Sequence, residues 1–218
     1  MRTELCAEAI RLGRLMEELM PDEPEVLGLL ALMRLQHARS GARTSPDGGL
    51  LTLPEQDRSQ WDRSAIEEGI ALLDRALRLA RPGPYQIQAA IAALHGKAAL
   101  AEDTDWMQIS ALYGALLRHL PTPVVELNAA VAQGMAHGPR EGLARLQVLE
   151  ESGRLQTSHY LPSAKAEFHG RLGDFRAALA EYDRALALVG NAVEHRYLSQ
   201  RRMAAEKNLL SSSRACGA

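Results

Sequence analysis

The residues of this chain best suited to chemistry are seven histidines, two cysteines and two short acidic clusters, each beside a tryptophan. A metal site or an acid–base pair needs such groups close together, at the short fixed spacings that put them on one helix face or one loop. His37, His95, His119, His137, His159, His169 and His195 are scattered, and none pairs with another His, a Cys or a carboxylate at ligand spacing. Each reads as a helix-end or groove residue. Cys6 and Cys216 stand at opposite ends, in no C-x-x-C pair, so neither a disulfide framework nor a zinc site is expected. The chain holds no G-x-G-x-x-G, no Walker A loop, no G-x-S-x-G elbow and no H-E-x-x-H. No catalytic, cofactor-binding or metal-ligating residue is therefore expected, and the chain reads as a non-enzyme.

The polar clusters are Gln56-Asp57-Arg58-Ser59-Gln60-Trp61-Asp62 and Glu102-Asp103-Thr104-Asp105-Trp106. In each, carboxylates lie within four residues of a tryptophan that heads a helix. One reading is a cap plus an anchor. Asp62 or Ser64, and Asp105, then accept hydrogen bonds from the unpaired N–H groups of a helix start, while each Trp seals the helix end. The other reading is a contact surface of Asp57, Arg58, Trp61, Asp62, Asp103, Asp105 and Trp106, because Trp and Arg dominate interface hot spots. Cap-and-anchor is the weightier of the two. Asp57 and Arg58 are also expected to form a charge pair that holds their loop down.

Helical segments must position these groups. The chain holds 35 Ala and 35 Leu against 7 Val and 6 Ile. Ala and Leu favour helix and β-branched residues favour strands, so sandwiches, barrels and doubly wound sheets are excluded. Leu5, Ala9, Leu12, Met16 and Leu19 recur at three- and four-residue steps. Pro21 ends that helix and Pro24 opens the next, which runs to about Arg39. Residues 1–39 are thus a helical hairpin. Residues 40–63 form a long loop, where Pro46-Asp47-Gly48-Gly49 signals a turn. Leu50, Leu51, Leu53 and Trp61 favour order there, as either a short β-hairpin or an Ω-like loop.

Eight further helices follow over residues 64–209, bounded by Pro82–Pro84, Asp105, Pro121–Pro123, Gly138-Pro139, Gly173-Asp174 and Gly190. Residues 210–218 read as a disordered tail. The closing helix carries Arg196, Arg201, Arg202 and Lys207 against Glu194 and Glu206, which reads as a solvated face.

Consecutive antiparallel pairs suggest a repeat. Asp174 to Leu188 resembles the second helix of a tetratricopeptide repeat, with small Ala178, groove-filling Tyr182 and Ala185. Ile66 to Leu79 repeats the theme through Gly69, Leu73, Ala76 and the shared Asp-Arg-Ala-Leu segment, and Tyr113, Leu116 and Pro121 mark a weaker copy. The expected fold is all-α: a right-handed solenoid of about five antiparallel hairpins with degenerate repeats.

Net charge is −2, which argues against a nucleic-acid surface. The longest apolar run, Val26 to Met33, is far shorter than the ~20 residues that cross a bilayer. No basic stretch leading into an apolar one opens the chain, so no signal peptide is expected. These features predict a cytoplasmic protein with reduced thiols and no membrane partner.

Longer strings carry a more specific resemblance. They are Leu5-Cys6-Ala7-Glu8-Ala9-Ile10-Arg11-Leu12, Met20-Pro21-Asp22-Glu23-Pro24 through Met33, Gln56 to Asp62, Arg81-Pro82-Gly83-Pro84-Tyr85 through His95, Glu102 to Trp106, and Pro121-Thr122-Pro123-Val124-Val125-Glu126-Leu127-Asn128. In this order they resemble the C-terminal, tetratricopeptide-like extension of a group of bacterial extracytoplasmic-function sigma factors, from about residue 3 to 208. The resemblance implies a protein that recruits core RNA polymerase to promoters through two helical regions reading the −10 and −35 elements. Neither region is in this chain, which enters helix at Thr3; it is expected to be either part of a longer protein or a truncated homologue. The extension would regulate those regions in cis, in place of a separate anti-sigma factor, and would touch promoter DNA only through them. Two other readings stay open: a stand-alone scaffold for a peptide or protein, and a small-molecule sensor or enzyme with a pocket under the 40–63 loop.

Overall fold

The computed structural model describes the backbone of residues 3–215 and the side chains of residues 4–212. Among the described residues there are ten α-helices and no strand. They fall into two compact units, residues 1–45 with 51–121 and residues 46–50 with 122–218. This division falls after Pro121, whereas the sequence pattern divides the chain into hairpin, loop and repeats.

The first unit holds α1 (Thr3–Leu19), α2 (Pro24–His37), α3 (Arg63–Arg78), α4 (Pro84–Lys97) and α5 (Trp106–His119). The second holds α6 (Pro123–His137), α7 (Pro139–Glu151), α8 (Tyr160–Arg171), α9 (Phe175–Leu188) and α10 (Ala192–Ala215). Helix starts follow from local chemistry. Pro24, Pro84, Pro123 and Pro139 open α2, α4, α6 and α7, where a missing N–H costs nothing. Elsewhere a side chain caps: Asp62 accepts from Ala65 N (3.0 Å), Asp105 from Gln108 N (2.9 Å) and Asp174 from Ala177 N (3.1 Å).

Small residues set how closely neighbouring helices approach. A Cβ at Gly69 would sit 2.7 Å from Leu35 Cγ, so α3 lies against α2 at a distance only glycine allows. The core there is Ala31, Leu35, Ala38, Ala42, Trp61, Ala65, Ile66, Leu73, Ala89, Ala92 and Ala93. In the second unit Gly134 and Gly142 face each other where α6 crosses α7, and the Phe168 ring closes over both. Ala178, Tyr182 and Ala185 are buried together between α9 and its neighbours, as the repeat pattern requires.

Four features depart from the sequence reading. The long loop takes the ordered, coiled alternative and stops short of a regular hairpin: one rung closes it, where Leu51 N–H donates to the Arg43 carbonyl at 3.0 Å, and the rest coils into single 3-10 turns at Ser40–Ala42, Leu53–Glu55 and Arg58–Gln60. Pro54 and the reciprocal Thr52–Glu55 cap favour a turn over a second rung there. Helix α1 turns Ile10 and Gly13 onto α2 and leaves Leu5, Leu12, Met16 and Leu19 in water. Helix α10 runs to Ala215, so residues 210–215 of the expected tail are helical. Residues 216–218, Cys216 included, lie outside the described residues.

The fourth is the basic face of α10, which stays partly solvated but on which two of the arginines pair with neighbouring helices. Arg201 binds Glu167 of α8, and Arg202 binds Asp183 of α9 at 2.6 Å. Arg196 and Lys207 remain exposed.

Candidate functional site

Asp57 N-caps the last 3-10 turn of the loop, accepting from Ser59 N (2.9 Å), Ser59 Oγ (2.7 Å) and Gln60 Nε2 (3.0 Å). Those hydrogen bonds hold its carboxyl below the usual range. The turn directs the next side chain, Arg58, into the protein. Arg58 Nη1 donates to the carbonyls of His95 and Ala98, both at 2.8 Å, and Nη2 to Thr104 Oγ1 at 3.1 Å.

The two carbonyls sit at the C-terminus of α4, His95 in its last turn and Ala98 at its C-cap, where the helix has no further N–H to bond and carries the negative end of its dipole. A buried guanidinium thus finds its counter-charge in a helix terminus. The expected Asp57–Arg58 charge pair does not form; Asp57 stays exposed on its own turn while Arg58 points inward. Arg58 still ties the loop down, through backbone oxygens.

Trp61 is 2% exposed and lies under two cations, with Arg58 Cζ 4.9 Å and Arg39 Cζ 5.8 Å from the ring. Arg39 bonds the side chain of Gln36. Burial, with Arg43 and Arg58 nearby, lowers the Arg39 pKa to about 10. His95, at the end of α4, meets Trp106 edge-on at 5.3 Å. Burial and the charges of Arg39 and Arg58 push the His95 pKa down to about 4, so its ring is neutral near pH 7. The Trp61 indole N–H, His95 Nδ1 and the Nε atoms of Arg39 and Arg58 are buried without a hydrogen-bond partner.

The fold therefore brings the two sequence clusters together. Arg58 to Thr104 is the direct join, and His95, whose carbonyl accepts from Arg58, bridges to Trp106 through its ring. Arg58 and Trp61 are buried, Trp106 is half-buried, and Asp57, Asp62, Asp103 and Asp105 are exposed. Asp62 and Asp105 cap α3 and α5, and Asp103 accepts from Leu100 N at 3.3 Å. Cap-and-anchor thus describes the clusters' interior, and what they expose is an acidic rim with the edge of Trp106. Trp61 and Arg58 fill the space beneath the loop. Arg39, His95 and Thr104 complete the cluster. Arg39 and His95 reach Trp61, Arg58 and Trp106 from other parts of the chain and no local pattern marks them, whereas Thr104 lies inside the second acidic string.

Among the described residues no group of three His, Cys, Asp or Glu could hold a metal. His159 and His169 each approach one carboxylate, Glu194 at 3.3 Å and Asp174 at 3.8 Å. Among the described residues no helix is long and apolar enough to cross a membrane. The second unit has its own ionic core. Lys165 of α8 bonds Glu150 at 2.6 Å and Glu181 at 3.0 Å, and Arg184 bonds the same two carboxylates at 2.5 and 2.7 Å. Burial pushes the Glu150 carboxyl up, but hydrogen bonds and charge from Lys165 and Arg184 outweigh it and leave it below the usual range.

Fold and site together define an all-helical, repeat-like protein with a buried cation–aromatic clasp. Residues 1–77, from α1 through nearly all of α3, match a model described as a family of unknown function, DUF6596. An uncharacterized protein of Rhizobium meliloti (strain 1021) is 48% identical over 195 residues, covering 89% of this chain and 46% of that protein. The chain thus spans less than half the length of this relative. No solved structure matches it.

Proposed function

We propose that this chain is the C-terminal regulatory protein-interaction domain of an extracytoplasmic-function sigma factor, acting in the cytoplasm. It would control in cis the promoter-binding regions of a longer polypeptide and, through them, core RNA polymerase. The observation that carries the reading is the ordered set of strings from Leu5 to Asn128, which resemble that extension and no general helical repeat. Five of the six coincide with helix starts or with the clasp: Pro24, the Arg58–Trp61–Asp62 turn, Pro84, Thr104–Trp106 and Thr122-Pro123. The length of the relative supports it too, since more than half of that protein lies outside the matched segment.

In this reading the domain works by contact. Stacked helices present faces that accept a peptide or a helix. A covalent tether keeps such a partner at about millimolar effective concentration, so a weak contact suffices to switch it. Promoter-reporter activity of the longer protein, with and without residues 3–215, tests the proposal. A changed activity supports it, and equal activity rejects it. If the purified chain instead captures a protein other than RNA polymerase or sigma regions, the stand-alone scaffold is the better account.

A further inference from the structure

Among the described residues nothing covers one apolar face of helix α1. At 100° per residue, Leu5, Leu12, Met16 and Leu19 fall within a sector of about 60°. Their exposures are 59%, 47%, 37% and 72%. Leu15 and Met20 flank the sector and are also exposed. The contact with α2 runs along a different line of the helix, through Ile10 and Gly13, where a Cβ on Gly13 would lie 3.0 Å from Leu30 Cδ1. Glycine at this line lets α1 sit close on α2 and turns the leucines outward. A contiguous apolar patch of a few hundred Å² is at the upper end of what a monomer leaves in water, and such patches mark interaction sites.

The edge of the stripe names the partner's chemistry. Glu4, Glu8 and Glu18 lie along the side away from α2, all exposed, with Arg11 as the one cation among them. Arg11 is already held by both oxygens of Glu8 at 2.8 Å. The free charge along that rim is therefore acidic. A partner helix that buries its own apolar stripe here gains if Lys or Arg flanks it, and loses if Glu or Asp does. The α1 face spans about four turns, enough for helix-on-helix pairing at i, i+3, i+4 and i+7 anchors.

We propose that the Leu5–Leu12–Met16–Leu19 face of α1 docks an amphipathic helix flanked by Lys and Arg, supplied by the part of the longer protein that lies outside this chain. This rests on the reading above, that the domain acts on its own polypeptide. It adds the face and the chemistry of the segment that binds there. More than half of the Rhizobium relative lies outside the match, so ample chain exists to supply that helix.

Hydrogen exchange of α1 in the longer protein, against this chain alone, is the test. Docking predicts at least tenfold slower exchange of α1 amides in the longer protein, and Leu12→Lys or Leu19→Lys should abolish the difference. Both positions are exposed, so circular dichroism and melting of each variant should match the parent. A 20-residue helical peptide with a leucine stripe flanked by lysines should speed α1 exchange in the longer protein by competition. The same peptide with glutamates at the flanks should not.

Equal exchange in the two proteins, or equal competition by both peptides, overturns the proposal. So does sedimentation showing that this chain dimerises and that Leu12→Lys makes it monomeric, which assigns the face to a second copy. If deleting residues 3–215 alters reporter activity while Leu12→Lys changes neither exchange nor activity, the α1 face fails and the regulatory reading stands. If the deletion has no effect, the regulatory reading fails.

Discussion

Replacing Arg58 with alanine asks most directly what holds the long loop. The substitution removes the donors to two carbonyls at the end of α4 and one hydroxyl, and lifts a cation off Trp61. Each buried carbonyl left without a partner costs about 1–3 kcal/mol. The lost cation–aromatic contact adds roughly 0.5–2 kcal/mol. Against this, alanine no longer carries a charge into the interior, which returns a few kcal/mol of desolvation. The net expectation is a loss of about 3 kcal/mol from the first unit. Trp61 and Trp106 are the two tryptophans of the chain and both lie in that unit, so fluorescence during urea unfolding reports it alone. With a slope of about 1–3 kcal/mol/M, the midpoint should fall by 1 M or more. Arg58→Lys should be intermediate, because one ammonium cannot reproduce the planar fork that spans His95 O, Ala98 O and Thr104 Oγ1. Asp57→Ala should cost a small fraction of the Arg58→Ala loss, since Asp57 caps an exposed turn. A fall of less than about 1 kcal/mol for Arg58→Ala, or an equal fall for Asp57→Ala, would refute the reasoning.

Three other perturbations separate the remaining contacts. His95 titrates near 4 when folded and near 6.5 when unfolded, so the unfolded chain takes up the proton first as pH falls. Stability of the first unit should therefore drop between about pH 6.5 and 4, by up to about 3 kcal/mol, and His95→Gln should flatten that slope in fluorescence-monitored unfolding at each pH. Gly134→Ala drives a methyl into Phe168 and should cost about 1–3 kcal/mol of the second unit by circular dichroism; Phe168→Leu in the same chain should recover part of it, and purely additive losses would exclude that contact. Lys165→Ala should destabilise the second unit by about 2 kcal/mol, less than a fully broken buried pair because Arg184 still holds Glu150 and Glu181. The same change should raise the pH of acid unfolding, because the Glu150 carboxyl is depressed by Lys165 and its stabilisation is lost as pH falls through its folded pKa.

All ten helices were legible from apolar spacing, prolines and caps, because these act within a few residues of each other. Pro24, Pro84, Asp62, Asp105 and Asp174 do in the structure what their sequence positions require. The repeat positions Gly69, Leu73, Ala76, Ala178, Tyr182 and Ala185 were legible for the same reason: small and aromatic residues at fixed helical steps mark the line of closest packing. The two tryptophan clusters were visible as composition, and their capping carboxylates as chemistry.

What the chain could not show locally is direction. Asp57 and Arg58 are adjacent and opposite in charge, yet a single 3-10 turn sends one to solvent and the other to α4, because orphan carbonyls at a helix end outbid an exposed carboxylate. Periodicity revealed that α1 has an apolar stripe, and only packing showed that the stripe faces away from α2, since Gly13 rather than a leucine sets their contact. The basic face of α10 is partly solvated as its sequence suggests, but only the fold shows that Glu167 and Asp183 lie beside Arg201 and Arg202. Sequence thus determined which helices form and where they start and stop, through interactions that close within one or two turns. Tertiary structure decided which faces are buried and which charges meet, because those outcomes depend on partners tens of residues away that no local pattern encodes.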